Sequence, residues 1–170
     1  SSDVCSSDLV GSNRPSAVPT LAFGTLTVDS STFVNNTSTK IDPSTGSGGA
    51  VAVIGDGGSL AVTNSTFSAN AAGNAGGAIY SDSATTLNFN TFDGNTATIG
   101  ASLYHVGYTR TLTEDNNIFS LGAAPDAASG ACDSDTPVSG GSSLTTGAGC
   151  PGTVVSASDL DLQTLAVNGG

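Results

Sequence analysis

Basic residues are nearly missing from this chain: three lysines and arginines stand against 14 acidic residues, for a net charge of −11 over 170 residues. A chain with that balance is repelled by phosphate backbones and anionic lipid surfaces, which excludes nucleic acid and acidic membranes as partners. Tryptophan and methionine are absent, aromatics make up 5% and charged residues 10%. No apolar run approaches the roughly eighteen residues of a spanning helix, so no helical membrane insertion is expected of this stretch. Strong helix formers such as Lys, Glu, Gln and Arg are scarce, which excludes a helix-built core. What is abundant is small: 23 glycines, and serine plus threonine for more than a quarter of the chain. Such residues suit short strands joined by tight turns, and the length allows one domain with a real core.

Residues 1–9 are set apart from the fold. The DNA string GTGTGCTCTTCCGATCT, the end of a common sequencing adapter, translates in frame as Val-Cys-Ser-Ser-Asp-Leu, which is Val4-Cys5-Ser6-Ser7-Asp8-Leu9. Ser1-Ser2-Asp3 reads as a second copy cut short. This segment is treated as a translation artefact. Cys5 is then spurious, two cysteines remain, and without Asp3 and Asp8 the charge becomes −9. The natural N-terminus with any signal peptide is expected to lie upstream. Residues 10–24 form a lead-in.

Residues 25–122 carry internal repeats. A Phe-x-x-Asn element occurs at Phe33…Asn36, Phe67…Asn70 and Phe92…Asn95, and Phe119 continues the series with Gly122 at the Asn position. Each element is preceded by an alternating stretch (Leu26-x-Val28, Leu60-x-Val62, Leu87-x-Phe89). Each is followed by a small-residue step: Gly48-Gly49-Ala50-Val51, Gly76-Gly77-Ala78-Ile79 and the weaker Ile99-Gly100-Ala101. The phenylalanine spacings are 34, 25 and 27 residues, the first lengthened by an insertion from Thr37 to Ser47.

A period near 25 residues with two or three short strands is what one coil of a parallel β-helix requires. Coils stack at roughly 4.8 Å, so residues at the same coil position lie above one another. The expected architecture is all-β: a right-handed parallel β-helix fragment of about four coils with an irregular C-terminal segment. Phe33, Phe67, Phe92 and Phe119 form an interior aromatic column. Asn36, Asn70 and Asn95 sit at a corner, bonding the turn backbone and their ladder neighbours. Gly49, Gly77 and Gly100 supply positive φ or close backbone approach at the other corner. Serine, threonine and aspartate at alternate positions face water. An antiparallel sandwich gives no reason for the same Phe and Asn to recur once per period.

The motifs Phe-x-x-Asn (67–70) and Gly-Gly-Ala-Ile (76–79) resemble the repeats of chlamydial polymorphic outer-membrane proteins and related bacterial surface β-helices. The C-terminal stretch, with Asn117-Ile118-Phe119, Cys132, Cys150 and the run from Asp159 to Gly170, is similar to the choice-of-anchor Q domain family. It departs from that family at Leu162-Gln163 and Thr164. The resemblance implies a surface protein whose anchor lies beyond residue 170. Residues 123–170 are read as a cysteine loop followed by the truncated family tail.

Candidate chemistry is sparse. His105 is the only histidine, and no serine or cysteine is placed near it by the sequence, so no Ser-His-Asp arrangement is expected. Two cysteines and one distant histidine do not match tetrahedral zinc spacing. Gly55-Asp56-Gly57-Gly58 reads as a turn, Asp159 and Asp161 as one solvated strand face, and Asp133 and Asp135 as part of a flexible loop. The sequons at Asn35, Asn36 and Asn64 are read as ladder or turn positions. Cys132 and Cys150 are expected to form a disulfide, since the remaining count is even and the segment between them cannot bury enough surface to order itself. Two free buried cysteines are the alternative.

No catalytic, cofactor-binding or metal residues are assigned, and no cofactor. The expected function is a structural stalk, passenger or adhesin-like display surface of a secreted or cell-surface protein, monomeric and without catalysis. A carbohydrate or a host or cell-surface protein is the expected ligand class. The alternative is a fragment of a β-helical polysaccharide lyase or glycoside hydrolase, pectate-lyase-like. Such chemistry needs clustered carboxylates with a cation, and Arg14, Lys40 and Arg110 are the only cations available.

Overall fold

A computed structural model describes residues 2–3, 9–10, 23–39, 46–54, 57–107, 109–121 and 130–163. The adapter-like segment, the lead-in, the middle of the insertion with Lys40, the Gly55-Asp56 pair, Gly122 and the last seven residues fall largely or wholly outside them. Two short strands come first, β1 (Ser2–Asp3) and β2 (Leu9–Val10). A first coil follows with β3 (Phe23–Asp29), β4 (Thr32–Val34) and β5 (Thr37–Ser38). The second holds β6 (Val51–Val53), β7 (Gly57–Thr63), β8 (Thr66–Ser68) and β9 (Ala71–Ala72). The third holds β10 (Ile79–Ser81), β11 (Ala84–Asn88) and β12 (Thr91–Asp93), and the fourth β13 (Leu103–His105), β14 (Leu112–Asp115) and β15 (Ile118–Ser120). Beyond residue 130 come β16 (Cys132–Ser134), β17 (Val138–Gly140), β18 (Leu144–Thr145), β19 (Thr153–Val154) and a single helical turn, α1 (Ala157–Leu160).

The fold is a parallel β-helix. Strands stack into three long sheets with orders β1-β3-β7-β11-β14-β17, β16-β13-β10-β6 and β19-β18-β15-β12-β8-β4-β2, plus the pair β5-β9. Every neighbour is parallel and in register, so Leu26 stands on Leu60, and Val28 on Val62 and then Leu87. Strands β16, β17 and β18 extend all three long sheets past β13, β14 and β15. The segment between the cysteines is therefore a further coil, and its reading as a loop after the last coil is corrected. It has little apolar surface of its own, but its backbone bonds to the open edge of the coil beneath, which side-chain composition does not report. The same applies to β1 and β2, which pair with β3 and β4.

Inside, Phe33, Phe67, Phe92 and Phe119 form one column, with ring centroids 4.8, 5.0 and 4.8 Å apart and planes within 9° of parallel. The last three are fully buried. The spacing is the inter-strand distance, so the ladder itself holds the rings in offset stacks.

The glycine corner is shifted by one residue from its expected register at Gly100. Strand pairing places Val51, Ile79 and Leu103 in one row, so Gly100 belongs with Gly48 and Gly76. All three have positive φ, at +56°, +67° and +63° respectively. Gly49 and Gly77 do the other job: a Cβ on Gly77 would lie 2.0 Å from the Ala101 carbonyl oxygen. Ala101 occupies their position in the fourth coil.

Phe67→Ala opens a hole in the middle of the column and should cost about 3–5 kcal/mol, read as a shift in the urea unfolding midpoint. Phe67→Leu should cost less than half as much. Equal costs would show that apolar volume at this height counts for little and that the stacked ring itself is required.

Candidate functional site

Two ladders of buried polar side chains run along the helix at its corners. In the first, Asn36 Nδ2 donates to Asn70 Oδ1 (2.9 Å) and Asn70 Nδ2 to Asn95 Oδ1 (3.0 Å). The backbone N–H of Asn36 and Asn70 donates to the same two oxygens. The second was not anticipated: it runs Ser31, Ser65, Asn90, Asn117 and Ser143, each backbone N–H donating to the side-chain oxygen of the next. Its signal was present, because each of the first four stands two residues before a column phenylalanine. Every ladder asparagine, and the ladder serines Ser31 and Ser65, follow a residue held at positive φ; at the second corner these are Ser30, Asn64, Phe89 and Asn116. Asparagine tolerates that backbone; a bulky aromatic does not readily do so. Phe89 is both strained and 58% exposed.

The interior grows polar toward the later coils, against the expectation that serine and threonine face water. Thr85 takes the place of Leu60, and Glu114 that of Leu87. The row of Val53 continues as Ser81, His105 and Ser134. His105 has no exposed surface. Its Nε2 lies 3.0 Å from the Ser83 carbonyl oxygen, so Nε2 carries the proton and donates. Nδ1 then accepts from Thr136 Oγ1 at 3.2 Å, with Ser134 Oγ at 3.4 Å. The fold thus brings to His105 a serine that the sequence did not place there. Burial holds the imidazole below its usual pKa, a Ser83 backbone bond and the charges of Asp135 and Asp82 opposing. A ring enclosed in this way orders the core and offers no nitrogen to a substrate.

Glu114, the only glutamate, is also fully buried. Its Oε2 accepts from Asn117 Nδ2 and Ser143 Oγ, tying it to the second ladder, while Oε1 has no partner. Burial pushes its carboxyl above the usual range; the bonds from Ser143 and Asn117 pull the other way.

Cys132 and Cys150 are joined by a disulfide, with Cα atoms 4.8 Å apart. Cys132 continues the interior row of Ile79 and Leu103, so the bridge pins the last full coil to the core. Asp159 and Asp161 do not share a strand face. Asp159 closes a capping box with Ser156, and Asp161 ends the helical turn at φ +44°, because a serine three residues before an acid favours a helix start over an extended chain. Asp133 lies within β16 and Asp135 follows it, so neither belongs to a loose loop.

On the outer face of the four-stranded sheet, Tyr80 and Tyr104 stand side by side on adjacent coils, ring centroids 5.8 Å apart and tilted by 52°. Asp133 follows Tyr104 in the same row. Desolvation raises the Tyr80 phenol above its usual pKa, and the charges of Asp82 and Asp135 add to it. Arg110, the one Lys or Arg among the described residues, has its side chain close to Gly107. Among the described residues no cluster of His, Cys, Asp or Glu could hold a metal ion, and no helix is long and apolar enough to cross a membrane.

Residues 30–54 and 64–82 match the repeat of the Chlamydia polymorphic membrane protein family, a repeat of bacterial outer-membrane and surface proteins. The two matched stretches cover the Phe-x-x-Asn and glycine corners of the first two coils. No curated protein and no solved structure matches the chain.

The double replacement Cys132→Ser/Cys150→Ser should lower stability by roughly 3 kcal/mol, the closure entropy of a loop this size, read by urea unfolding with and without reductant. Glu114 has a raised pKa when folded, so its contribution is complete below the unfolded value and is lost as pH rises through the folded one. His105, with a lowered pKa, contributes above its unfolded value and loses that contribution as pH falls. Stability of Glu114→Gln relative to the unsubstituted chain should therefore climb between pH 4 and pH 8. A difference independent of pH would show that folding leaves the Glu114 carboxyl unshifted.

Proposed function

We propose that this chain is part of a secreted or cell-surface β-helix protein, serving as a stalk or passenger that displays its loops and outer faces for adhesion, and that it performs no catalysis. The observation that carries this reading is the repeat match, which falls on structural corners rather than on any reactive group. The state of His105 supports it, since both ring nitrogens are engaged inside the helix. The ligand would be a carbohydrate or a host or cell-surface protein, met by a monomeric β-helix outside the cell. The likeness of the tail to the choice-of-anchor Q family belongs to the same reading.

Cell adhesion to surfaces coated with the purified chain tests this. Adhesion should rise with coating density and be competed by the soluble chain, while polygalacturonate incubated with it keeps its length. Adhesion no greater than on an albumin coating, or depolymerisation abolished by His105→Ala, would overturn the proposal.

A further inference from the structure

The column phenylalanines and the two described tyrosines answer to different positions in the helix. The column phenylalanines fill the core, whereas Tyr80 and Tyr104 contribute little to it. Both lie half-buried on one outer face, in register on adjacent strands. The row they occupy ends in Asp133, and the charges of Asp82 and Asp135 reach the Tyr80 phenol. Two aromatic rings flanked by three carboxylates, on a chain of net charge −11, form a surface whose complement is a cation. Ring faces attract ammonium and guanidinium groups, and carboxylates pair with them. Tyrosine is also the residue that protein interfaces concentrate at their energetic centres. Arg110 stands at the margin of this face, its side chain close to Gly107.

We infer that the Tyr80–Tyr104 face with Asp82, Asp133 and Asp135 is a docking surface for a lysine- or arginine-bearing protein segment. The inference rests on the display reading above and names the chemistry of the partner. The rings recognise the cation, and the carboxylates steer it. Strand spacing sets the geometry: the two rings are one coil apart, so a cationic side chain can lie along the helix axis between them and the Asp133 carboxylate.

Calorimetric titration of the full chain with hexa-lysine and, separately, with cellohexaose tests this. Hexa-lysine should bind, with affinity falling as salt rises. Tyr80→Leu/Tyr104→Leu, which leaves the charge unchanged, should weaken it about tenfold. Tyr80→Phe/Tyr104→Phe keeps the ring faces and should stay within about twofold of the unsubstituted chain. Asp133→Asn/Asp135→Asn should weaken binding more than Asp29→Asn/Asp93→Asn, which removes equal charge from the other two long sheets. Equal affinity of the leucine and unsubstituted chains would reduce the effect to net charge and overturn the inference. So would cellohexaose binding that depends on the tyrosines while hexa-lysine binding does not. Should the leucine pair fail to fold by circular dichroism, the phenylalanine and asparagine pairs decide: undiminished binding in the asparagine pair, or loss in the phenylalanine pair, overturns it. Tyrosine-dependent hexa-lysine binding without cell adhesion would remove the display reading and leave this face standing; adhesion untouched by the leucine pair would do the reverse.

Discussion

The parallel backbone ladder is the constraint from which everything else in this molecule follows. Because each strand is hydrogen-bonded in register to its equivalent one coil away, a side chain is always packed against its own counterpart at the inter-strand distance. Phenylalanine over phenylalanine becomes a stack, and asparagine over asparagine becomes a chain of amides in which each donates to the next. Tyr80 over Tyr104 becomes an outward aromatic pair. A single residue choice is thus multiplied along the axis, which is why so small an aromatic content suffices for the core.

The ladders also account for the amount of polar matter inside. A coil this narrow leaves the corner backbone buried, and buried N–H groups need partners. The asparagine and serine side chains supply them where the chain turns away from its sheet. The later coils go further, with Thr85, Glu114, His105 and Ser134 at positions that are aliphatic earlier. Their hydrogen bonds are specific where Leu and Val contacts are not, so the price of burial is offset by fixing register. Glu114 is the least satisfied member, and that leaves it sensitive to pH.

The coil of β16, β17 and β18 obeys the same rule by different means. At the C-terminal end the apolar rows run out: the phenylalanine column passes to Thr145, and the row of Leu103 passes to Cys132. The covalent bridge to Cys150 then replaces packing with a tether, on a coil whose composition alone would leave it unordered.

How much of this was legible depended on whether a feature repeats. The aromatic column, the Asn36-Asn70-Asn95 ladder and the parallel coil were readable because a stacked fold writes the same residue at each period, and Cys132 with Cys150 was readable from parity. The second ladder was overlooked because serine and asparagine alternate in it, although the hydrogen bond needs only an oxygen at that height. Gly100 was misplaced by one residue because Ala101 fits where Gly49 and Gly77 stand, and only strand pairing reveals which residue carries the positive φ. Residue choice alone sets the period, the ladder and the apolar column, all local in one coil and copied to the next. Tertiary structure alone decided that Asp133 lies in a strand, that His105 is sealed among Ser83, Thr136 and Ser134, and that Tyr80 and Tyr104 share an outer face with three carboxylates. All but the nearness of Asp82 to Tyr80 join residues more than twenty positions apart, and their neighbours are chosen by how far the chain wanders between strands, which no local pattern records.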